Sequence, residues 1–207
     1  MSSSLNAFLL DPAAARGLVG SGDERPLRLA ADRLRDELAS ADDWFSYEIE
    51  NGAPRAAEAL RALVHGGPYS ADRDHAFQYG YAYQRLCSLR GEFLDNSSFS
   101  PFRGAWLDVV DEGLAALGVA AVSVAEFGYG GGLPAGVPRS AEFPGCGEWT
   151  HEQCLAALAE FERSERSGRD GTAPELERDV AKAVADVRDW LRRAVKHPGL
   201  GVVGFVS

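Results

Sequence analysis

The sequence predicts a helix-rich α+β domain with a small sheet that includes the N- and C-terminal strands. Three observations predict it. Most apolar residues recur at helical spacing. Two strand-like apolar runs, Leu5 to Leu10 and Gly201 to Val206, bracket that helical body. With 207 residues, 45% hydrophobic and 25% charged, the chain has the size and composition of a single globular domain over 1–207.

The elements follow in order. After the first strand, Asp11 can cap a short helix that Pro12 opens and that runs to about Val19. Gly20 to Asp23 breaks the chain. A helix from about Pro26 to Ala39 carries Leu27, Ala31, Leu34 and Leu38 on one stripe, with Arg28, Asp32, Arg35 and Asp36 on the wetter side. Another helix follows Asn51-Gly52, with Pro54 at its start and Ala57, Leu60 and Val64 as its stripe; Gly66 after His65 is a left-handed stop. Phe77 to Tyr83 alternates like a strand, but Gln84 to Arg90 suits a helix, so a helix is predicted over about Asp74 to Arg90. Ser100-Pro101 caps a helix with Phe102, Trp106, Val109, Val110, Leu114 and Leu117, which Gly118 stops.

Val119 to Phe127 reads as a short strand, and 128–148 as a long Gly/Pro-rich loop. Thr150-His151-Glu152-Gln153 matches a capping box, with Trp149 and Cys154 as its hydrophobic staple, and the helix continues through Leu155, Leu158 and Phe161. Ser164 to Thr172 is a polar link. The last helix, from Pro174 to His197, carries the stripe Leu176, Val180, Val184, Val187, Leu191 and Val195. Strands at the two chain ends invite pairing with each other.

Charge narrows the function classes. Lys plus Arg is 21 and Asp plus Glu 31, a net charge of −10 that repels a phosphate backbone. The best basic stripe, Arg188, Arg192, Arg193 and Lys196, falls at a helix C-terminus, where cations suit the dipole. No nucleic acid is therefore expected. No apolar run approaches a membrane span and no secretory leader is visible, so a soluble cytoplasmic protein is expected. Cys87, Cys146 and Cys154 read as reduced thiols. The acidity suits solubility alone or a basic protein partner.

Four segments, Gly66-Gly67-Pro68-Tyr69-Ser70, Phe77 to Tyr83, Ser98 to Arg103 and Pro144 to Thr150, resemble an uncharacterised bacterial family found mainly in actinomycetes. The Ala- and Arg-rich composition suits that source. In its plan of strand, many helices and final strand the chain is more distantly similar to the YfbM-type family of unknown function. The resemblance implies a single domain and assigns no catalytic residues.

Chemistry is sparse. Cys146, His151 and Cys154 have zinc-ligand types but no fourth ligand at tight spacing, so neither metal nor cofactor is expected. Cys146, between two glycines before a helix start, has the position of an activated thiol, but those glycines also suit a tight turn. There is no Gly-x-Ser-x-Gly elbow and no phosphate loop. His65 and His197 read as helix-end residues. The densest signal is aromatic: Tyr69, Phe77, Tyr79, Tyr81, Tyr83, Phe93, Phe99, Phe102 and Trp106 are nine of the 20 aromatic residues. They form either an aromatic core or a pocket wall. If a pocket, the candidate binding residues are Asp72, His75, Tyr79, Tyr83, Asn96, Arg103 and Trp106, flanked by the 128–148 loop.

The expectation is a binding or regulatory module without catalysis, of the kind that neutralises a protein partner as an immunity protein does. The alternatives are a small-molecule enzyme or ligand carrier using the 72–106 region, and an accessory domain with no ligand.

Overall fold

The computed structural model describes residues 2–129, 131–141, 143–167 and 175–207. In chain order the elements are β1 (Leu5–Leu10), α1 (Pro12–Arg16), α2 (Glu24–Arg33), α3 (Arg35–Trp44), α4 (Ser46–Glu50) and α5 (Ala56–His65). A 3₁₀ turn (Arg73–His75), α6 (Phe77–Arg90), β2 (Glu92–Phe93), α7 (Trp106–Ala116) and α8 (Glu126–Tyr129) follow. The chain closes with β3 (Gly145–Trp149), α9 (His151–Ser167), α10 (Arg178–Ala194) and β4 (Gly201–Val206). This is the helix-rich α+β architecture expected, and β1 and β4 have the boundaries read from the sequence. Residue contacts within the chain distinguish two compact units, one of 1–12, 92–131 and 146–207, the other of 13–91 and 132–145.

The first unit holds the sheet, in the order β2-β1-β4-β3. β1 runs antiparallel to β4 from Leu5↔Val206 to Leu10↔Gly201, so the first and last strands pair along their full length. Leu5, Ala7 and Leu9 point to the helix-covered face, where they join Val180, Val184, Val187 and Leu191 of α10 in one core. The stripe holds from Val180 to Leu191, but α10 spans 178–194 rather than 174–197, so the half-buried Leu176 and Val195 fall just outside it. Trp149 and Trp190 are fully buried there, ring centroids 6.2 Å apart. A Cβ at Gly204 would stand 2.5 Å from the Phe127 ring, so β4 needs glycine where that ring lies across it.

Several expectations are corrected. α7 starts at Trp106, because Phe102 instead exchanges backbone hydrogen bonds with Ser3 at 2.8 and 2.9 Å. Residues 119–125 are not a strand: the Asp111 carboxylate accepts from the Val124 and Ala125 amides and the Ser123 hydroxyl, and Glu160 accepts from the Ala120 and Ala121 amides. Side-chain carboxylates satisfy this backbone where a neighbouring strand would otherwise be needed. The 128–148 loop is shorter than read, since α8 reaches Tyr129 and β3 begins at Gly145. The capping box forms as expected, Thr150 N donating to Gln153 Oε1 at 2.8 Å and Gln153 N to Thr150 Oγ1 at 3.2 Å. Leu155, expected on the apolar face, is exposed. Of the polar link, 164–167 belongs to α9, while 168–172 and Pro174 lie outside the described residues.

The second unit is helical. α5 packs on α6, α2 on both, and α3 on α5. α6 is buried around most of its circumference, and Pro144 fits against Gly80, where a Cβ would meet it at 2.8 Å. The single helix expected over 26–39 is two. α2 starts at Glu24, capped by Asp23, and Leu34 (φ −112°, ψ 16°) separates it from α3. Ala31 and Ala57, read as stripe residues, are exposed; Ala30, Ala56 and Ala59 are buried instead. α5 ends on Gly66 at φ 74°, the left-handed stop expected. The α6 helix is shorter at its start than predicted, because Arg73–His75 forms a 3₁₀ turn.

Candidate functional site

α3 and α4 bury no side chain, although they carry Trp44 and Tyr47 with Phe45 at the junction between them. Six carboxylates (Asp36, Glu37, Asp42, Asp43, Glu48 and Glu50) face one cation, Arg35, in this 16-residue stretch. Helices that bury nothing are held by their ends and by polar contacts, and here Asp42 accepts from the Ala56 amide at 2.7 Å and pairs with Arg55. Trp44 is 81% exposed and Tyr47 73%. Beside them a groove of about 1010 Å³ opens within the helical unit. Phe45, Phe77 and Tyr81 line it as a ring cluster, with centroids 4.7 Å apart for Phe45–Phe77, 5.5 Å for Phe45–Tyr81 and 6.5 Å for Phe77–Tyr81. Trp44 and the 43%-exposed Phe143 extend the apolar wall. Glu48, Asp72, Asp74, Arg73 and Arg139 supply its charge. Burial pushes the Tyr81 hydroxyl above its ordinary pKa, against the pull of Arg85.

One end of the groove is a hydrogen-bonded turn in which Ser70 meets the predicted site residues Asp72, His75 and Tyr79. Ser70 Oγ and His75 Nδ1 are bonded at 2.9 Å, and the Asp72 amide donates to Ser70 Oγ at 3.2 Å. The Ser70 amide donates to the Tyr79 hydroxyl at 2.7 Å. Asp72 caps the 3₁₀ turn through the Asp74 amide, and its Oδ2 lies 3.8 Å from His75 Nε2. His75 is therefore on the turn rather than on the helix predicted from about Asp74. Tyr79 and Tyr83 are core residues, 2% and 0% exposed.

A second polar feature lies inside this unit. Gln78 and Arg85, seven residues apart on one face of α6, are both buried. Arg85 Nε donates to Glu37 at 3.3 Å, and burial lowers the Arg85 pKa against the pull of Glu37. Among the described residues no partner meets either end of the Gln78 amide or Arg85 Nη1.

The remaining candidates belong to the sheet-bearing unit. Arg103 and Trp106 line a smaller cavity of about 340 Å³, together with Ser97, Ser98, Asp179 and Lys182. Asn96 is structural, donating to the Leu5 carbonyl at 2.8 Å. Trp106 donates its indole N–H to the Ser98 carbonyl at 2.8 Å. The seven predicted residues are thus divided between the two units, and the structure does not assemble them within either one. Nor is the aromatic run one feature: Phe99 is core, whereas Phe77 and Tyr81 line the groove.

The thiols are packing residues. Cys146 is 2% exposed and sits inside β3, not at a helix start. Burial pushes the Cys154 thiol up to about 12. His151 Nδ1 lies 2.9 Å from the Leu200 carbonyl, which ties the start of α9 to the segment entering β4. Among the described residues, no three His, Cys, Asp or Glu side chains are placed to hold a metal ion. In the basic stripe, Arg188 pairs with Glu165 and Arg193 with Glu92, so both cations are matched by carboxylates. Among the described residues no helix is long and apolar enough to cross a membrane.

The sequence reading missed Trp44, Phe45 and Phe143. A signal existed for the first two: adjacent aromatics in a segment too acidic to be buried. Phe143 had none, being one apolar residue in an aperiodic stretch. The family model described as a domain of unknown function (DUF7691) matches residues 1–207, and the chain belongs to that family. Neither the curated proteins nor the solved structures contain a match.

Proposed function

We propose that this member of the DUF7691 family is a non-catalytic binding module that receives a protein partner in the groove of its helical unit. The observation that supports it is the pair α3–α4, which buries no side chain yet holds Trp44 and Tyr47 out to solvent beside an aromatic groove. Large exposed aromatics rimmed by charge mark interaction sites. An immunity-type protein, which holds a toxin inactive by binding it, is the function class that fits this reading best. The setting proposed with it is the actinomycete cytoplasm, which the Ala- and Arg-rich, acidic composition supports. The test is a photo-crosslinking amino acid placed at Trp44 in the native host, with exposed Lys196 as control position. Crosslinks to one protein from position 44 and not from 196 are expected; the same background at both would remove the reading.

The Ser70–His75 contact favours a second reading, in which Ser70 is a nucleophile and His75 its base, with Asp72 beside the imidazole. Against it, Ser70, Asp72 and His75 already close a local turn. A fluorophosphonate probe decides: labelling of Ser70 that is lost in His75→Ala supports catalysis, and no labelling leaves the turn as a structural device.

A further inference from the structure

We propose that the occupant of this groove is a Lys- or Arg-bearing segment of the partner, whose cation rests on the Phe45, Phe77 and Tyr81 rings between Glu48 and Asp74. The proposal rests on the binding reading above and adds the chemistry of what is bound.

The first argument is the ring cluster. Its three centroids lie within 6.5 Å of one another, and all three side chains line the groove while remaining partly exposed. A cation is attracted to an aromatic face within about 6 Å of the ring centroid, and more strongly where water is partly excluded. The second is the placement of carboxylates. Glu48 follows Phe45, the junction residue between α3 and α4, by three positions, and Asp74 precedes Phe77 by three across the end of the 3₁₀ turn; both acids line the groove together with the rings. Rings that supply a π-face and acids that supply the counter-charge are what a guanidinium or ammonium group requires, whereas an acidic segment would be repelled.

The third argument is the surrounding charge. Arg73 and Arg139 also line the groove, but the 35–50 stretch that contributes Trp44, Phe45 and Glu48 to it carries six carboxylates against one arginine, within a chain of net charge −10. Among the described residues, Asp36, Asp43, Glu48 and Glu50 make no ion pair, whereas Glu37 and Asp42 are engaged by Arg85 and Arg55. The field at the rim therefore steers a basic partner toward the groove and screens with salt. At about 1010 Å³ and open to solvent, the groove is at the upper end of small-molecule sites and suits several residues of an extended segment.

The experiment is calorimetric titration of the whole protein at low and at physiological salt with three blocked octapeptides. One alternates leucine with arginine, the second has citrulline in place of each arginine, and the third has glutamate. The arginine peptide is expected to bind at least about tenfold more tightly than its neutral citrulline twin, and the glutamate peptide not at all. The double variant Glu48→Gln/Asp74→Asn should remove most of that difference with its melting temperature kept, and Phe45→Leu should weaken the arginine peptide several-fold. Equal binding of the arginine and citrulline peptides would overturn the proposal, as would arginine-peptide binding unchanged in the double variant. If none of the peptides binds while position 44 still crosslinks to one protein, the cation proposal falls and the binding reading survives. If both experiments fail, both fall.

Discussion

Among the described residues, Gln78 is buried with both polar atoms of its side chain unsatisfied. A buried amide with no hydrogen bond costs about 1–3 kcal/mol, so an apolar side chain of similar shape should be tolerated or preferred. Gln78→Met is expected to stabilise the fold by about 1 kcal/mol in urea denaturation. A loss of that size would mean that the amide is satisfied by buried water. Asp23 makes a different prediction. The Arg25 guanidinium and amide bonded to its carboxylate lower its pKa from 3.8 to about 2. A carboxyl group with a depressed folded-state pKa contributes stability above its unfolded value and loses it as pH falls toward the folded one. The α2 cap should therefore weaken between about pH 4 and pH 2, and Asp23→Asn should flatten that part of a melting curve against pH.

Among the elements, α10 tests how the core is built. Val187 is fully buried on its stripe, while Val109 on α7, also read from the sequence as a stripe residue, is 37% exposed. Val187→Asp would leave an unpaired charge in the interior and should cost about 4 kcal/mol, close to the stability of many domains. Val109→Asp should change stability by less than about 0.5 kcal/mol. A thermal melt of both variants checks the assignment, and equal effects would contradict it. The same contrast explains why stripe reading worked for α10 and failed for the helix expected over 26–39. A 3.6-residue repeat of large aliphatics over six positions can face only one core, whereas Ala31 and Leu34 mark no face strongly enough to exclude a break at Leu34.

For the whole molecule, the pairing of β1 with β4 joins the two ends of the chain. β4 is buried at all six positions and lies between β1 and β3, so it completes two strand edges at once. A chain ending at Leu200 is expected to lose its cooperative thermal transition, because β1 and β3 would both present open edges and the core would lose Val202 and Val206. Retention of a sharp melt would show that the remaining strands carry the unit without it.

The sequence by itself determined the helix-rich α+β class, the two terminal strands, the capping box at Thr150, the stop at Gly66 and the α10 stripe. Each of these is set by residues within a few positions of one another, through dihedral preference, local hydrogen bonds or simple periodicity. Tertiary structure alone decided that Asp111 and Glu160 would hold 120–125 without a strand partner. It alone decided that β3 would form from Gly145 to Trp149, where Glu126 O would stand 2.5 Å from a Cβ at Gly147. It also divided the seven predicted site residues between two units and brought Phe45, Phe77 and Tyr81 into one groove across 36 positions of chain. Contacts of that sequence separation leave no local period to read, because they arise only when the helices that carry the residues have already packed.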